Sequence, residues 1–311
     1  LAIIMLTILF PFSSPAQSPA YDVLMDYNSG TPVRYSGDIS AQGGTTNVII
    51  PKTYIQKKKE FRAVWVATVG NIDFQPSANA AEFKSQFIKM ADNIKNAGFN
   101  AIIFQVRPNN DAFYASKLNP WSKFLTGTEG RALDGGFDPL KFMTAESHKR
   151  GIEFHAWLNP YRVIKNTHLS KNEFLKNLAP DNFARENPSL LLVHKSENGQ
   201  NSIMLNPGEP AAMKFIIDTI SEIIANYDVD AIHMDDYFYP YEGSSNGDAM
   251  SYKKYNRQNL SLDDWRRNNV DTLIAAISKT IRTSNQAKRR NVRFGISPFG
   301  IWANQSSHPA G

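Results

Sequence analysis

Asp230-Ala231-Ile232-His233-Met234-Asp235-Asp236-Tyr237-Phe238-Tyr239-Pro240 passes from a short apolar run straight into two carboxylates and a cluster of aromatic rings. The apolar run has the length and composition of a buried strand. Carboxylates are costly to bury, so two at a strand end need a reason. Rings beside acids suit a cleft for sugars: rings stack on the apolar faces of pyranoses, and acids supply proton transfer or nucleophilic attack.

Outward from this stretch, the chain alternates short apolar runs with segments of helical period from Phe61 onward. That alternation predicts β/α units and a parallel sheet. The expected strands are Arg62–Val69, Ala101–Arg107, Ile152–Asn159, Val229–Asp235 and Val292–Ser297. Four helices separate them. One presents Phe83, Phe87, Ile94 and Ala97 on one face and stops at Gly98. The next starts at Asp138-Pro139, a cap followed by a first-turn proline, and stops at Gly151. A third follows Asn206-Pro207, and a fourth opens with Ser261 and Asp264 in capping-box spacing. Loops after the strands are long (108–137, 160–205 and 237–260), whereas returns to the next strand are short. The expected fold is therefore a (β/α)8 TIM-type barrel, whose active site is built from loops at strand C-termini. A doubly wound sheet alternates in the same way, but no Gly-rich phosphate loop follows any strand. Only five of the eight units are visible. The chain lacks an initial Met and stops at Ser307-His308-Pro309-Ala310-Gly311, so the expectation is a fragment cut at both ends.

Strand alternation sorts side chains onto two faces. Ile232 and Met234 oppose His233 and Asp235; Phe154, Ala156 and Leu158 oppose His155, Trp157 and Asn159; Ile102, Phe104 and Val106 oppose Gln105, Arg107 and Asn109. The apolar faces are expected to pack on helices and the polar faces to climb towards the mouth. Arg107, Asn109, His155, Trp157, Asn159, His233 and Asp235 thus share one concave region, joined by Ser297 from the last strand. Asp236 faces away from Asp235 unless the strand ends there. Each has a plainer reading. Arg107 and Asp235 could form an internal ion pair, and His155 and His233 could be core histidines. Trp157 could fill the barrel. Asn159-Pro160-Tyr161 could be a turn, and Tyr237, Phe238 and Tyr239 could anchor a lid. Asp73 and Asp111 sit in loops, where solvated carboxylates are common.

Composition narrows the classes. The chain has 311 residues, 42% hydrophobic and 20% charged, as in ordinary globular proteins. Its formal charge of +5 is spread out, with short clusters only at Lys57–Lys59 and Lys288–Arg290, which speaks against a nucleic-acid partner. Cysteine is absent, which removes disulfides, thiolate metal sites and a lipoprotein anchor. Leu1 to Phe12 is almost wholly apolar and precedes Ser13-Ser14-Pro15-Ala16-Gln17, like a secretory signal without its basic start. The expected organisation is a partial signal over 1–20, a linker over 21–60 with one strand-like patch at 47–50, and the barrel over 61–311. The expected location is secreted or periplasmic, with no membrane insertion after signal removal.

Five segments carry a resemblance. They are Phe61-Arg62-Ala63-Val64-Trp65-Val66-Ala67-Thr68, Gln105-Val106-Arg107-Pro108-Asn109, His155-Ala156-Trp157-Leu158-Asn159-Pro160-Tyr161-Arg162, His233 to Pro240, and Gly295-Ile296-Ser297-Pro298-Phe299-Gly300. In this order they resemble the glycosyl-hydrolase-like 10 proteins, bacterial envelope or secreted barrels distantly similar to the α-amylase clan. The resemblance implies a (β/α)8 fold and hydrolysis of glycans, peptidoglycan glycan strands among them. It also implies that Asp235 matches the clan's nucleophile. His233 stands where the clan has an arginine, and Ser297 where the clan has its acid/base glutamate. The general acid is therefore not carried over; the candidates are Asp236, Glu242 on the following loop, or a residue in the part of the barrel expected to be missing. Arg107, Asn109, His155, Asn159, His233 and Ser297 are expected to orient the substrate, with Trp157, Tyr161, Tyr237 and Tyr239 as aromatic contacts. No cofactor is expected. Two other readings stand beside this one: a non-catalytic glycan-binding barrel, and a metal-dependent hydrolase with His155, His233 and Asp235 as ligands.

Overall fold

The computed structural model describes residues 20–26, 29–32, 47–52, 60–240 and 246–298. The signal-like stretch, Glu242 and the Phe299-Gly300 end of the last motif lie outside the described residues. The chain divides into two units, 1–60 and 61–311. In the first, β1 (Tyr21–Val23) pairs antiparallel with β2 (Ile49–Pro51). The patch at 47–50 thus supplies a strand, but its three-residue partner is too short to show a period.

The second unit opens with β3 (Ala63–Val66), α1 (Ala80–Asn96) and β4 (Ala101–Arg107), followed by α2 (Lys123–Thr126), α3 (Pro139–Lys149) and β5 (Glu153–Leu158). It continues through β6 (Arg162–Thr167), α4 (Lys171–Lys176), α5 (Phe183–Glu186), β7 (Leu191–Lys195) and β8 (Asn201–Leu205). It ends with α6 (Pro210–Asn226), β9 (Ala231–Met234), α7 (Ala249–Tyr255), α8 (Leu262–Lys288) and β10 (Arg293–Ile296). Caps start the long helices. Asn79 accepts the Glu82 N–H at 2.9 Å, Asp138 that of Lys141 at 3.2 Å, and Ser261 that of Asp264 at 3.2 Å. Gly98, with φ of 82°, turns the chain out of α1. Helix α6 begins later than Pro207. Asn206 Oδ1 takes the Gly208 N–H at 2.9 Å, which holds a short turn, and Pro210 becomes the first helical residue.

The main sheet is parallel, in the order β10-β9-β5-β4-β3. Each strand lies beside the one before it in the winding. Among the described strands no reversal creates the switch-point crevice of a doubly wound sheet. One face carries Ile102, Phe104, Val106, Phe154, Ala156, Leu158, Ile232 and Met234. These join Phe83, Phe87, Met143, Phe215, Ile220, Leu273 and Ile277 from the four long helices in one apolar cluster. Side chains alternate along a strand, so this burial directs the intervening residues to the other face.

The segment after β5 departs from expectation. It is not an open loop: β6, β8 and β7 form a three-stranded antiparallel sheet in that order. Strands β7 and β8 are joined by a hairpin at Glu197-Asn198-Gly199, where Gly199 has φ of 79°.

Candidate active site

The free face of the main sheet rises in layers set by the strand register. The lowest aligns Trp65, Ile103, His155, Ala231 and Arg293; the next aligns Gln105, Trp157, His233 and Gly295. Above them, where strand pairing ends, stand Asn159, Asp235 and Ser297. The loops begin here, and polar groups can meet solvent without breaking a ladder.

Asp235 is the focus. Its Oδ2 accepts hydrogen bonds from Asn159 Nδ2 and, at 3.3 Å, from Trp157 Nε1, and it lies 3.5 Å from an Arg162 guanidinium nitrogen. Its Oδ1 accepts the Tyr237 backbone N–H at 3.2 Å. The Asp235 side chain keeps 16% exposure, so the carboxylate is held by donors yet reachable. Asn159 is oriented from below. Gln105 Nε2 donates to Asn159 Oδ1, while Gln105 Oε1 accepts the N–H groups of Thr68 at 3.0 Å and Val69 at 2.9 Å. This relay fixes which end of the Asn159 carboxamide faces Asp235. Supports of this kind set a reacting group's geometry.

Neither Arg162 nor Gln105 is among the expected site residues. Arg162 supplies the cation that His233 cannot, and it comes from the first residue of β6 rather than from β9. Its guanidinium also lies 5.1 Å from the Tyr237 ring centre, and Tyr237 Oη is tied to Ser202 Oγ at 2.9 Å. The signal for Arg162 was its place at the end of a strand-end motif. For Gln105 it was a polar residue preceding Arg107 on a strand that is otherwise apolar.

His233 sits one layer lower, 3.0 Å from Ser297 Oγ. Burial, then the neighbouring His155, pulls its imidazole down to about 4, so it is neutral near pH 7. Trp65 meets both His233 and Trp157 edge to face, each at 4.6 Å between centres, and is itself 39% exposed. It is an open aromatic surface on this face, whereas Trp157 is 8% exposed. Asp236 is half-buried and follows the end of β9, so strand alternation does not govern its direction.

Other expected site residues lie apart from Asp235. Arg107 is 1% exposed and points beneath the site. Its guanidinium donates to the carbonyls of Asn159 at 2.6 Å and Pro160 at 3.1 Å, and to Oδ1 of Asn110 and Asn119 at 2.8 and 3.1 Å. It braces the turn that carries Asn159 and cannot reach a sugar. Tyr161 is fully buried in the apolar cluster, so it offers no face for stacking. Tyr237, 5% exposed, is occupied beneath Arg162. Tyr239 lies beside Asn269, Asp248 and Arg266, on the α8 side, because the chain turns once β9 ends. His155 is at the foot of the face, 3.1 Å from Glu153 and stacked on Phe61. His155, His233 and Asp235 therefore do not converge as the metal reading requires. Among the described residues no three His, Asp or Glu side chains group around a common point.

Asn109 lies in a different place, a small recess shared with Asp111 and Glu129. Asp111 is 2% exposed, and burial raises its carboxyl above the usual range. Burial, then the Asp111 charge, pushes Glu129 up to about 7.

Comparison with known proteins adds to this geometry. Residues 60–309 match the family described as glycosyl hydrolase-like 10. The chain is 42% identical over 274 residues to glycosyl hydrolase YngK of Bacillus subtilis, covering 86% of this chain and 51% of that protein. It is 36% identical over 273 residues to glycosyl hydrolase DigH of Escherichia coli K12, covering 84% of this chain and 60% of that one. It thus spans only about half to three-fifths of these relatives. Among solved structures, it is similar to α-L-fucosidase isoenzyme 2 from Paenibacillus thiaminolyticus at 14% identity and a TM-score of 0.47, over 76% of this chain and 32% of that one. It is also similar to the GH20 exo-β-N-acetylglucosaminidase from Vibrio harveyi at 12% identity and a TM-score of 0.48, over 76% of this chain and 35% of that one.

Proposed function

Because this chain belongs to the glycosyl hydrolase-like 10 family, we propose that it is part of a secreted or periplasmic hydrolase of bacterial polysaccharide. Peptidoglycan glycan is the first candidate substrate. The five parallel strands are read as consecutive staves of a (β/α)8 barrel, with Asp235 at the rim where such barrels keep their chemistry. One observation carries the proposal: a partly exposed carboxylate at the end of β9 that accepts from Trp157, Asn159 and the Tyr237 N–H, with the Arg162 guanidinium beside it.

In this reading Asp235 faces the anomeric carbon, as nucleophile or as the charge opposite an oxocarbenium-like transition state. Oδ2 is held by Trp157, Asn159 and Arg162. Oδ1, which accepts one backbone N–H, turns to the sugar. Trp65 offers the stacking surface. Neutral His233 and Ser297 offer hydrogen bonds to hydroxyls. Asp236 is assigned the general acid that protonates the leaving oxygen, a role worth about 10²–10⁴ in rate.

The test is product analysis on peptide-free glycan strands. Wild type should release short saccharides, Asp235→Asn none, and Asp236→Asn should lose most on substrates with poor leaving groups. Undiminished cleavage by Asp235→Asn would refute the assignment.

A further inference from the structure

A hollow of about 430 Å³ lies in the helix layer, walled by the first turn of α6, the turn after α7 and the start of α8. Sites for small ligands begin at roughly 300 Å³, so a short saccharide fits. Helix α6 leads into β9 and α8 into β10. A helix that returns the chain between parallel strands starts at the C-terminal end of those strands. The hollow therefore stands at the same end of the unit as Asp235, but on the helix side of the sheet. Asn269 in its wall lies beside Tyr239. The step along the chain from Asp235 to Tyr239 spans at most about 14 Å.

Two rings, Tyr255 and Trp265, line it, with the Arg257 guanidinium and the carboxamides of Gln258, Asn268 and Asn269 around them. None of the described residues in the wall is Asp or Glu. The Trp265 indole is fixed in place. It lies against the turn at Gly208, where a Cβ would stand 2.2 Å from its Cη2, and Tyr252 meets it edge to face at 5.4 Å. The polar groups divide into spent and available ones. The Asn256 carboxamide closes its own turn, donating to the Leu260 carbonyl at 2.8 Å and accepting the Leu260 N–H at 3.0 Å. The side chains of Arg257, Gln258 and Asn268 have no hydrogen-bond or ion-pair partner among the described residues. Fixed rings bordered by available amides and free of carboxylates complement a sugar, with its apolar faces and ring of hydroxyls.

We propose that this hollow is a second, non-catalytic glycan site, which holds the polysaccharide on the helix layer while another stretch of it lies at Asp235. The rings take the apolar face of a sugar. Gln258 and Asn268, each both donor and acceptor, take hydroxyl and acetamido groups. Arg257, with no acid in the wall to neutralise it, favours a sugar that carries a carboxylate. Attachment at two points raises affinity for long strands above what either site gives alone. The choice of a glycan rests on the hydrolase reading, whereas the hollow shares no residue with the Asp235 site.

The experiment sediments peptide-free peptidoglycan strands with the full chain carrying Asp235→Asn, so that binding is read without cleavage. Adding Arg257→Ala and Gln258→Ala together, both at exposed positions, should weaken strand binding about tenfold or more by removing one of two attachment points. Tyr255→Ala should do the same, with the fold checked by circular dichroism. Arg282→Ala, an equal loss of charge at an exposed position further along α8, should bind as the parent does. The proposal is overturned if strands do not bind the parent, if the double substitution leaves binding at the parent level, or if Arg282→Ala weakens it equally, which marks a general charge attraction. Cleavage by the wild type is scored separately. Strands that are cut, yet bound equally by parent and double variant, sink the second site alone; strands bound through the hollow but never cut sink the hydrolase reading alone.

Discussion

Replacing Arg107 by Met removes the guanidinium and keeps much of the aliphatic volume. Four acceptors then lose their donor: the carbonyls of Asn159 and Pro160 and the side-chain oxygens of Asn110 and Asn119. The two carboxamides can rotate to new partners, but the two carbonyls belong to a fixed turn. Each buried acceptor left unpaired costs about 1–3 kcal/mol. Burial alone pulls the Arg107 guanidinium down to about 10, a sign that an apolar side chain recovers part of the loss. The net destabilisation should be about 2–4 kcal/mol, or a fall in Tm of about 5–15 °C for a unit of this size. Activity should fall too, because Asn159 loses the brace that aims it at Asp235. Urea unfolding followed by circular dichroism gives the first number, and initial rates on glycan strands the second. If Arg107 contacts sugar instead, Arg107→Met will raise KM and leave the urea midpoint unchanged, and the bracing argument fails.

Three further outcomes can be checked. Asn159→Ala should lower kcat with little change in KM, since it removes a donor to Asp235 and no sugar contact; a change confined to KM would contradict this. The His233 imidazole is held at about 4 against 6.5 in the unfolded chain, so unfolding takes up a proton between those values. Stability should therefore be complete above about pH 6.5 and decline as pH falls towards 4. His233→Gln should flatten that slope, and equal slopes in a pH series of urea midpoints would refute the assignment. Asp248 is fully buried and paired with Arg266 through two bonds of 2.7 Å. Asp248→Asn should cost about 3–5 kcal/mol by leaving a charge unmatched, and a midpoint shift under 1 kcal/mol would argue otherwise.

Much of the main sheet was legible because two signals coincide in it. Strands such as Ala101–Arg107 are apolar on one face, and helices such as Pro139–Lys149 are preceded by a capping side chain and a first-turn proline. Those signals are local, and they locate the strand end that carries Asp235. The β6-β8-β7 sheet was not legible. Its strands are short and mixed in polarity, so their pairing depends on partners up to about forty residues away. The division of labour among polar residues was equally hidden. Strand alternation assigns a side chain to a face, but it does not say whether Arg107 meets a sugar or two carbonyls. Nor could it show that the cation beside Asp235 comes from Arg162, since that contact crosses from β6 to β9. The aromatic cluster after Asp235 invited a sugar-stacking reading. Tyr237 is instead the platform under Arg162, and an open ring is supplied by Trp65 on β3, far from Asp235 in the sequence.

The central claim is that the Asp235 carboxylate carries the reaction. The most direct measurement is turnover of an activated glycoside by Asp235→Gly with and without sodium azide, which can occupy the vacated space. The account predicts loss of turnover without azide, and restored release of the leaving group with formation of a glycosyl azide when it is added. Wild-type turnover by Asp235→Gly in the absence of azide would contradict it.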